Sequence, residues 1–293
     1  KNIAFVMASN PAYQVGVYDL YETDVPGGIR ANTRQLIAKG ALTEEELDAR
    51  LSRISFTTDL DSELVSRADL VIEAVFEDMK IKRETFAKLE ARCRPDTIFC
   101  TNSSVMSPSE ISAELRHRER FVGTHFWNPG HLIPLVEVVK SDASSDETAQ
   151  TVMEVLSSAG KEPVLCKKDV PGFIANRMQH ALWREAISIV DRGIADAATV
   201  DKAVRYSFGL RLPQLGPMEN ADMVGTDLTY NIHDYILKDL EDSHEPSPLL
   251  TRLRDEGKLG FKTGEGFQTW TPQQIEQSKE ALNDYLVDML YGK

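Results

Sequence analysis

Four short segments carry the polar side chains that a general-base site needs. Three of them belong to short apolar runs typical of strands, and the fourth opens a long helical pattern: residues 100–105 with Ser104, 123–129 with His125, 135–139 with Glu137 and 170–177 with Asn176. Histidine is the side chain whose ordinary pKa suits proton transfer near neutral pH. The pattern therefore predicts a base, its orienting acid and two hydrogen-bond partners in one cleft.

The acid in this set stands in an unusual place for a charge. Glu137 lies between Val136 and Val138, and an isolated buried carboxylate is costly, so it needs a partner. Pairing with His125 removes that cost, orients the imidazole and favours the imidazolium that forms when the base takes a proton. The alternative is an alternating strand whose acid faces solvent.

Short apolar runs alternate with amphipathic stretches through the first part of the chain. The runs predict strands at residues 3–6, 15–18, 70–75, 97–100, 121–123, 135–139 and 163–165. Helical patterns occupy 79–93 and 146–159, and Ser107-Pro108 with Glu110 is an N-cap signature. Alternating strands and helices predict an α/β fold with a doubly wound, mostly parallel sheet.

From Pro171 onward the strand signals disappear. Helical patterns follow at residues 172–191, 197–208, 219–239, 248–256 and 271–290. We therefore predict two domains, 1–169 and 170–293, the second of them all helical. Helices that are apolar on one face need a partner surface, and a homodimer through the helical domain would supply it.

Composition excludes several classes of partner. The 293 residues carry a formal net charge of −13 without a basic stripe, so nucleic acid and anionic membranes are disfavoured and a small-molecule substrate is expected. The three cysteines form no CxxC pair and no metal site is predicted, which fits a reducing compartment, the cytoplasm or an organelle matrix. No apolar run approaches the roughly 18 residues that cross a bilayer.

One expected feature is missing near the start of the chain. A dinucleotide fold carries a glycine-rich loop between its first strand and first helix, and this chain has no Gly-x-Gly-x-x-Gly segment. Only eight residues separate Val6 from Val15, whereas a parallel crossover takes at least about 10 to 12. We expect a segment to be missing from the printed sequence after Val6, with residues 7–10 as the tail of a helix. The other explanation is that the loop is absent.

The ordered motifs between residues 70 and 270 resemble one family. Gly123-Thr-His-Phe-Trp-Asn-Pro129 is similar to the His-Phe-Phe-Asn-Pro motif of the 3-hydroxyacyl-CoA dehydrogenases, and the segments 170–177, 215–225 and 257–267 match the same family. These are NAD-dependent enzymes that oxidise a hydroxyl beside an acyl thioester. The resemblance implies a Rossmann NAD-binding domain followed by a helical domain for substrate binding and dimerisation.

The resemblance also implies roles for single residues. His125 would be the base, Glu137 its partner, and Ser104, Asn128 and Asn176 would bind the substrate. The positions that match cofactor-binding residues of the family are Asp19, Ala74, Glu77, Lys82 and Asn102. An acid at the end of the second strand of such a fold binds ribose hydroxyls and favours NAD over NADP. Otherwise Asp19 is a turn residue, and Glu77 and Lys82 are exposed charges at a helix start.

The substrate is less well defined than the fold. Residues 128–134 and 181–186 look closer to relatives such as carnitine dehydrogenase and a bacterial dehydrogenase of vitamin B6 breakdown. In that case His131 and Arg184 of this chain would help to hold a carboxylate. We predict oxidation of a 3-hydroxyacyl-CoA, with hydride transfer to NAD. The alternative is a small hydroxy acid or aldehyde acid without CoA. A non-catalytic role, as in a lens crystallin of this family, is a third possibility, which the intact catalytic set argues against.

Overall fold

The computed structural model describes residues 1–292, and the chain divides into two compact units. The first contains Lys1–Asn176 together with the residues from Ala281 onward, and the second is Arg177–Glu280. The strands, all in the first unit, are β1 Val15–Tyr18, β2 Ile54–Thr57, β3 Leu70–Glu73, β4 Ile98–Thr101, β5 Phe121–Phe126, β6 Leu135–Lys140 and β7 Glu162–Cys166.

Helices flank the strands and make up the second unit. They are α1 Asn2–Met7, α2 Val25–Ala38, α3 Glu44–Leu51, α4 Glu63–Ser66, α5 Met79–Glu90, α6 Pro108–Ile111, α7 Asp146–Ser158, α8 Ala175–Asp191, α9 Ala197–Arg205, α10 Phe208–Arg211, α11 Pro217–Val224, α12 Thr226–Ile236, α13 Pro248–Asp255 and α14 Pro272–Tyr291.

The strands form two sheets. β1 and β2 make a parallel pair, and β3-β4-β5-β6-β7 follow in that order in a second sheet. Every pair in the second sheet is parallel except β5 with β6. Strand β5 is buried along its whole length, as expected for a sheet covered on both faces. The predicted α/β fold with a mostly parallel sheet is confirmed.

The core of the first unit lies where β4, β5, β6 and α7 pack together. Val122 and Val136 of the sheet pack against Val152 and Leu156 of α7 in one cluster. Ser145 begins α7, because its side chain accepts the Thr148 N–H. A rigid, buried sheet of this kind fixes the positions of the side chains at the ends of its strands.

The first segment of the chain differs from its prediction. Residues Asn2–Met7 form helix α1 and not a strand. The Ala8 N–H donates to the Ala4 carbonyl at 3.0 Å at the end of this helix. Four apolar residues in a row do not distinguish a buried helix from a strand. The predicted strand is wrong, whereas the predicted helix tail before a turn is confirmed. The segment expected after Val6 stays a prediction.

Several other elements were not predicted or have different bounds. Strand β2 and helix α3 were not predicted, although Thr43 and Glu46 form a capping box at the start of α3. The pattern at 219–239 is two helices, α11 and α12, since Gly225 between them has φ +103°, a conformation that only glycine adopts readily.

The second unit is helical, as predicted, apart from isolated bridges of Glu265 with Gly260 and Thr269. Helices α9 to α13 bury no residue fully. Large apolar side chains are exposed on these helices and between them, among them Tyr206, Leu210 and Tyr235. Within residues 1–292, no helix combines the length and apolar character that crossing a membrane requires.

Candidate active site

The antiparallel pairing of β5 with β6 places the predicted base beside the predicted acid. His125 is the direct register partner of Glu137. The imidazole Nδ1 lies 2.8 Å from Glu137 Oε2, and both side chains are buried, with the carboxylate fully so. The alternative of a solvent-facing Glu137 is therefore wrong. Because Nδ1 faces the carboxylate, Nε2 is the ring nitrogen that can exchange a proton with a substrate.

The Glu137 carboxylate accepts four hydrogen bonds. Oε1 accepts the backbone N–H groups of Ile174 and Ala175, each at 2.9 Å, and Oε2 accepts the Trp127 Nε1–H at 3.2 Å besides facing His125. Burial alone would raise the pKa of Glu137, but the bonds from His125, the two amides and Trp127 together lower it. The acid is thus held as a carboxylate beside the imidazole.

A tight turn brings the two amides to this carboxylate. Gly172 has φ 76° and Phe173 φ 50°, and the latter is an uncommon conformation for a residue with a side chain. The Phe173 ring is buried and lies 5.8 Å from the His125 ring, centroid to centroid. The turn ends where α8 begins, at Ala175, so the N-terminus of that helix faces the Glu137 oxygen.

The loop after β4 supplies the predicted serine. Ser104 is exposed, and its carbonyl oxygen accepts a hydrogen bond from Asn176 Nδ2 at 3.3 Å. The neighbouring Ser103 is buried, and its hydroxyl donates to Glu77 and accepts the Met106 N–H at 2.8 Å. Of the two serines, Ser104 is therefore the one whose side chain a substrate can reach. The hydrogen bond from Asn176 thus connects two of the predicted substrate-binding residues, Ser104 and Asn176.

A second ionic cluster is buried where β3 and β4 end. The Lys82 ammonium lies 2.9 and 3.1 Å from the two Glu73 oxygens and 3.2 Å from Glu77. Thr101 donates to Glu73 Oε2 at 2.7 Å. Lys82 is fully buried, so it can act on a cofactor only through Glu77, which is partly exposed. Burial would raise the pKa of Glu77, and the bonds from Ser103 and Lys82 lower it.

The sequence interpretation missed Glu73 and Thr101. The signal for Glu73 was present, since it ends the apolar run Leu70–Glu73 much as Glu137 interrupts its own run. A carboxylate in such a run needs a buried partner, and the argument used for Glu137 applies to Glu73 without change. Thr101 carried no comparable signal.

The other predicted cofactor residues are accessible. Asp19 follows β1 and Ala74 follows β3, and both are exposed. Asn102 and Asn128 line one cavity of about 230 Å³, together with Phe126. The Phe126 N–H donates to Asn102 Oδ1 at 2.9 Å, so the Nδ2 group of Asn102 is the part that can bind a ligand.

The two residues of the alternative carboxylate site, His131 and Arg184, belong to different units. Burial lowers the pKa of His131, and nearby Lys161 lowers it further, so this imidazole is not favoured as a cation. The Lys161 ammonium donates to the carbonyl oxygens of Gly130 and Ile133 at 2.6 and 2.7 Å. In the second unit, Arg184 donates to the Ser243 carbonyl at 3.2 Å.

Comparison with known families identifies the chain. Residues 1–170 match the NAD-binding domain of 3-hydroxyacyl-CoA dehydrogenase, and residues 172–270 match its C-terminal domain. The chain belongs to the 3-hydroxyacyl-CoA dehydrogenase family. It is accordingly an NAD-dependent oxidoreductase that acts on a CH–OH group, with a Rossmann-type domain and a helical C-terminal domain.

Curated relatives act on two kinds of substrate. The chain is 35% identical over 264 residues to a probable 3-hydroxybutyryl-CoA dehydrogenase of Bacillus subtilis, covering 89% of this chain and 90% of that protein. It is also 35% identical over 228 residues to 5-formyl-3-hydroxy-2-methylpyridine 4-carboxylate 5-dehydrogenase of Mesorhizobium japonicum, covering 78% and 74%.

Solved structures divide in the same way. A crystal structure of 5-formyl-3-hydroxy-2-methylpyridine 4-carboxylic acid 5-dehydrogenase, an NAD+-dependent dismutase, is similar with a TM-score of 0.89 and 29% identity, covering 100% of this chain and 95% of that one. That of (S)-3-hydroxybutyryl-CoA dehydrogenase from Ralstonia eutropha has a TM-score of 0.76 and 28% identity, covering 92% and 94%.

Residues of the first unit fit the NAD that this family uses. The strand ends hold groups that can face a dinucleotide: the exposed Asp19, Ala74 and Glu77, and the half-buried Asn102 amide. In parallel α/β sheets, ligands bind at this carboxyl edge. The cavity lined by Asn102 and Asn128 contains donors for the polar parts of a nucleotide.

Proposed function

We propose that this protein oxidises the 3-hydroxyl of a 3-hydroxyacyl-CoA to the 3-ketoacyl-CoA, with His125 as general base. The buried pair of His125 and Glu137, 2.8 Å apart, is the observation that carries the proposal. Support for a thioester comes from both matched family domains and from relatives named as 3-hydroxybutyryl-CoA dehydrogenases.

The chain's own residues divide the work of proton transfer and orientation. His125 Nε2 takes the hydroxyl proton, and Glu137 stabilises the charge left on the ring. Ser104 and Asn176 hydrogen-bond the reacting oxygen and the neighbouring carbonyl, so the alcohol and the ketone are held in one geometry. NAD, when bound, accepts the hydride.

The cofactor contacts are part of the same proposal. Asp19 accepts hydrogen bonds from ribose hydroxyls, Ala74 and Glu77 line the cofactor edge, and Asn102 donates from Nδ2. Lys82 contributes by holding Glu77, from which its ammonium is 3.2 Å away. We further propose that residues 1–169 bind NAD and that residues 170–293 bind substrate and dimerise.

A homodimer through the helical region is supported by its apolar surface. Between residues 197 and 236 many large apolar side chains are exposed, including Tyr206 at 77%, Met218 at 74% and Tyr235 at 86%. Exposed apolar area on this scale is typical of an interface. Light scattering across a dilution series tests the proposal, and a monomer mass at micromolar concentration would contradict it.

A second substrate class has an observation in its favour. The similarity to the pyridine 5-dehydrogenase structure covers the whole of this chain at a TM-score of 0.89, above the 0.76 found with the 3-hydroxybutyryl-CoA enzyme. The second candidate is therefore a small hydroxy acid or aldehyde acid without CoA, bound beside the same base.

One assay separates the two candidates. NADH formation is followed with 3-hydroxybutyryl-CoA and, in parallel, with carnitine, free 3-hydroxybutyrate and a pyridine hydroxymethyl or formyl carboxylate. Turnover of the thioester alone supports the first candidate, and turnover of a free acid alone supports the second. The His125→Gln variant is assayed beside the wild type, and equal rates in both proteins would refute His125 as the base for either substrate.

A further inference from the structure

A tryptophan contacts both members of the catalytic pair. The Trp127 Nε1–H donates to Glu137 Oε2 at 3.2 Å, and the same oxygen lies 2.8 Å from His125 Nδ1. The Trp127 and His125 rings are 5.4 Å apart, centroid to centroid. Trp127 follows β5 directly, two residues after the histidine, so the strand end fixes both rings.

This donor stands at a position where the chain departs from the motif that it resembles. The segment reads His-Phe-Trp-Asn-Pro, whereas the motif that it resembles has phenylalanine at the third position. A phenylalanine ring fills similar space but has no N–H group. The hydrogen bond from position 127 to the acid is thus an addition to the pair.

The bond matters because the carboxylate has no spare capacity. Two backbone amides occupy Oε1 at 2.9 Å each, so Oε2 alone serves the imidazole. A carboxylate oxygen that accepts from two donors divides its negative charge between them. The indole therefore weakens the attraction of Glu137 for a proton on His125.

We propose that Trp127 is a positioning residue that extends proton acceptance by His125 to lower pH. This inference rests on the proposed role of His125 as base. The described groups that contact the pair are the Trp127 indole, the Ile174 and Ala175 amides and the Phe173 ring, all uncharged. The hydrogen bond from Trp127 is the one of these that shares Oε2 with the imidazole. Without it, the imidazolium is bound more tightly and loses its proton only at higher pH.

The test is the pH dependence of kcat/KM for the Trp127→Phe variant, measured in the oxidation direction between pH 5 and 9 with whichever substrate the wild type turns over. We expect the acidic limb to move to higher pH by about half a unit, with the plateau within about threefold of wild type. Trp270→Phe is the matched control, because Trp270 packs edge to face on Phe261 in the second unit. Its profile should coincide with that of the wild type.

An unshifted acidic limb in a folded Trp127→Phe protein would overturn the inference, since a ring that only packs changes rate and not pH dependence. Incorporating β-(3-benzothienyl)alanine at position 127 keeps the ring shape and replaces the N–H by sulfur. This analogue replaces the phenylalanine variant as the test if that variant is unstable, and it must give the same shift of the acidic limb to higher pH. Failure of the proposed function is distinguishable, because the acidic limb would then persist in His125→Gln.

Discussion

Two buried ionic clusters lie on the same five-stranded sheet, and they differ in what they leave for a ligand. In the first, Glu137 on β6 pairs with Nδ1 of His125 on β5, and Nε2 is not part of that pair. In the second, Lys82 on α5 bonds both oxygens of Glu73 at the end of β3 and also Glu77, and its side chain is 1% exposed.

We propose that the first pair serves chemistry and that the second serves position. Both carboxylates stand in apolar runs, and both need a partner for the same physical reason. The ordinary pKa of a histidine side chain is near neutral and that of a lysine is well above it, so only the first pair has a partner suited to proton exchange at neutral pH. Removing a partner should therefore affect turnover at the first cluster and folding at the second.

The largest expected effect is on turnover at the first cluster. We expect His125→Gln to lower kcat by about 10²- to 10⁴-fold, because a positioned general base contributes about this much. The Kd for NADH, measured by fluorescence titration, should stay within about threefold of wild type, since the proposed cofactor contacts are elsewhere. An equal loss of turnover and NADH affinity would show that the role of His125 is structural.

The next effect is on folding at the second cluster. Lys82→Met leaves Glu73 buried without its cation, and breaking a buried pair in this way costs about 3–5 kcal/mol of unfolding free energy. The matched control is Lys80→Met on the same helix. The Lys80 ammonium lies 3.9 Å from Glu84 with its side chain 84% exposed, so about 0.5 kcal/mol or less is expected.

Urea titrations of the two lysine variants measure this difference. If Lys82→Met unfolds at the same urea concentration as Lys80→Met, then water reaches the cluster and its charges are not buried in the sense argued above. Adding Glu73→Gln to Lys82→Met removes the stranded charge, and recovery of part of the lost stability is expected.

The sequence predicted the first cluster and only part of the second for identifiable reasons. Histidine and glutamate stand in runs that become adjacent strands, so their pairing follows from strand pairing alone. The burial of Lys82 depends on α5 packing over the end of β3, which no local pattern encodes. Residues 3–6 were predicted as a strand because four apolar residues suit either element, and α1 is buried on several sides.

The next prediction concerns two adjacent serines, of which Ser103 belongs to the second cluster and Ser104 does not. Ser103→Ala removes the hydroxyl that bonds Glu77 and the Met106 amide, and it should lower the unfolding free energy by about 1–2 kcal/mol. Ser104→Ala should instead lower kcat/KM by about 10- to 100-fold with stability within about 0.5 kcal/mol. Urea titration and NADH formation on both variants check this. Loss of stability in Ser104→Ala with loss of activity in Ser103→Ala would contradict the prediction.

The smallest effect concerns a buried ammonium that has no carboxylate partner among its described hydrogen bonds. Lys161 donates to the Gly130 and Ile133 carbonyls, and burial lowers its pKa from 10.5 to about 8. Since the unfolded chain keeps this proton up to about pH 10.5, it binds more protons than the folded protein above pH 8. Stability attributable to Lys161 therefore rises with pH in that window.

Comparison of the wild type with Lys161→Met isolates this term. Between pH 7 and 9 the unfolding free energy of the wild type should rise by about 1 kcal/mol relative to that of Lys161→Met. Subtracting the change seen for Lys80→Met removes the contribution of exposed lysines. If this difference does not change with pH, two carbonyl oxygens stabilise a buried ammonium as well as the two carboxylates stabilise Lys82. The contrast between the clusters would then depend on the histidine alone.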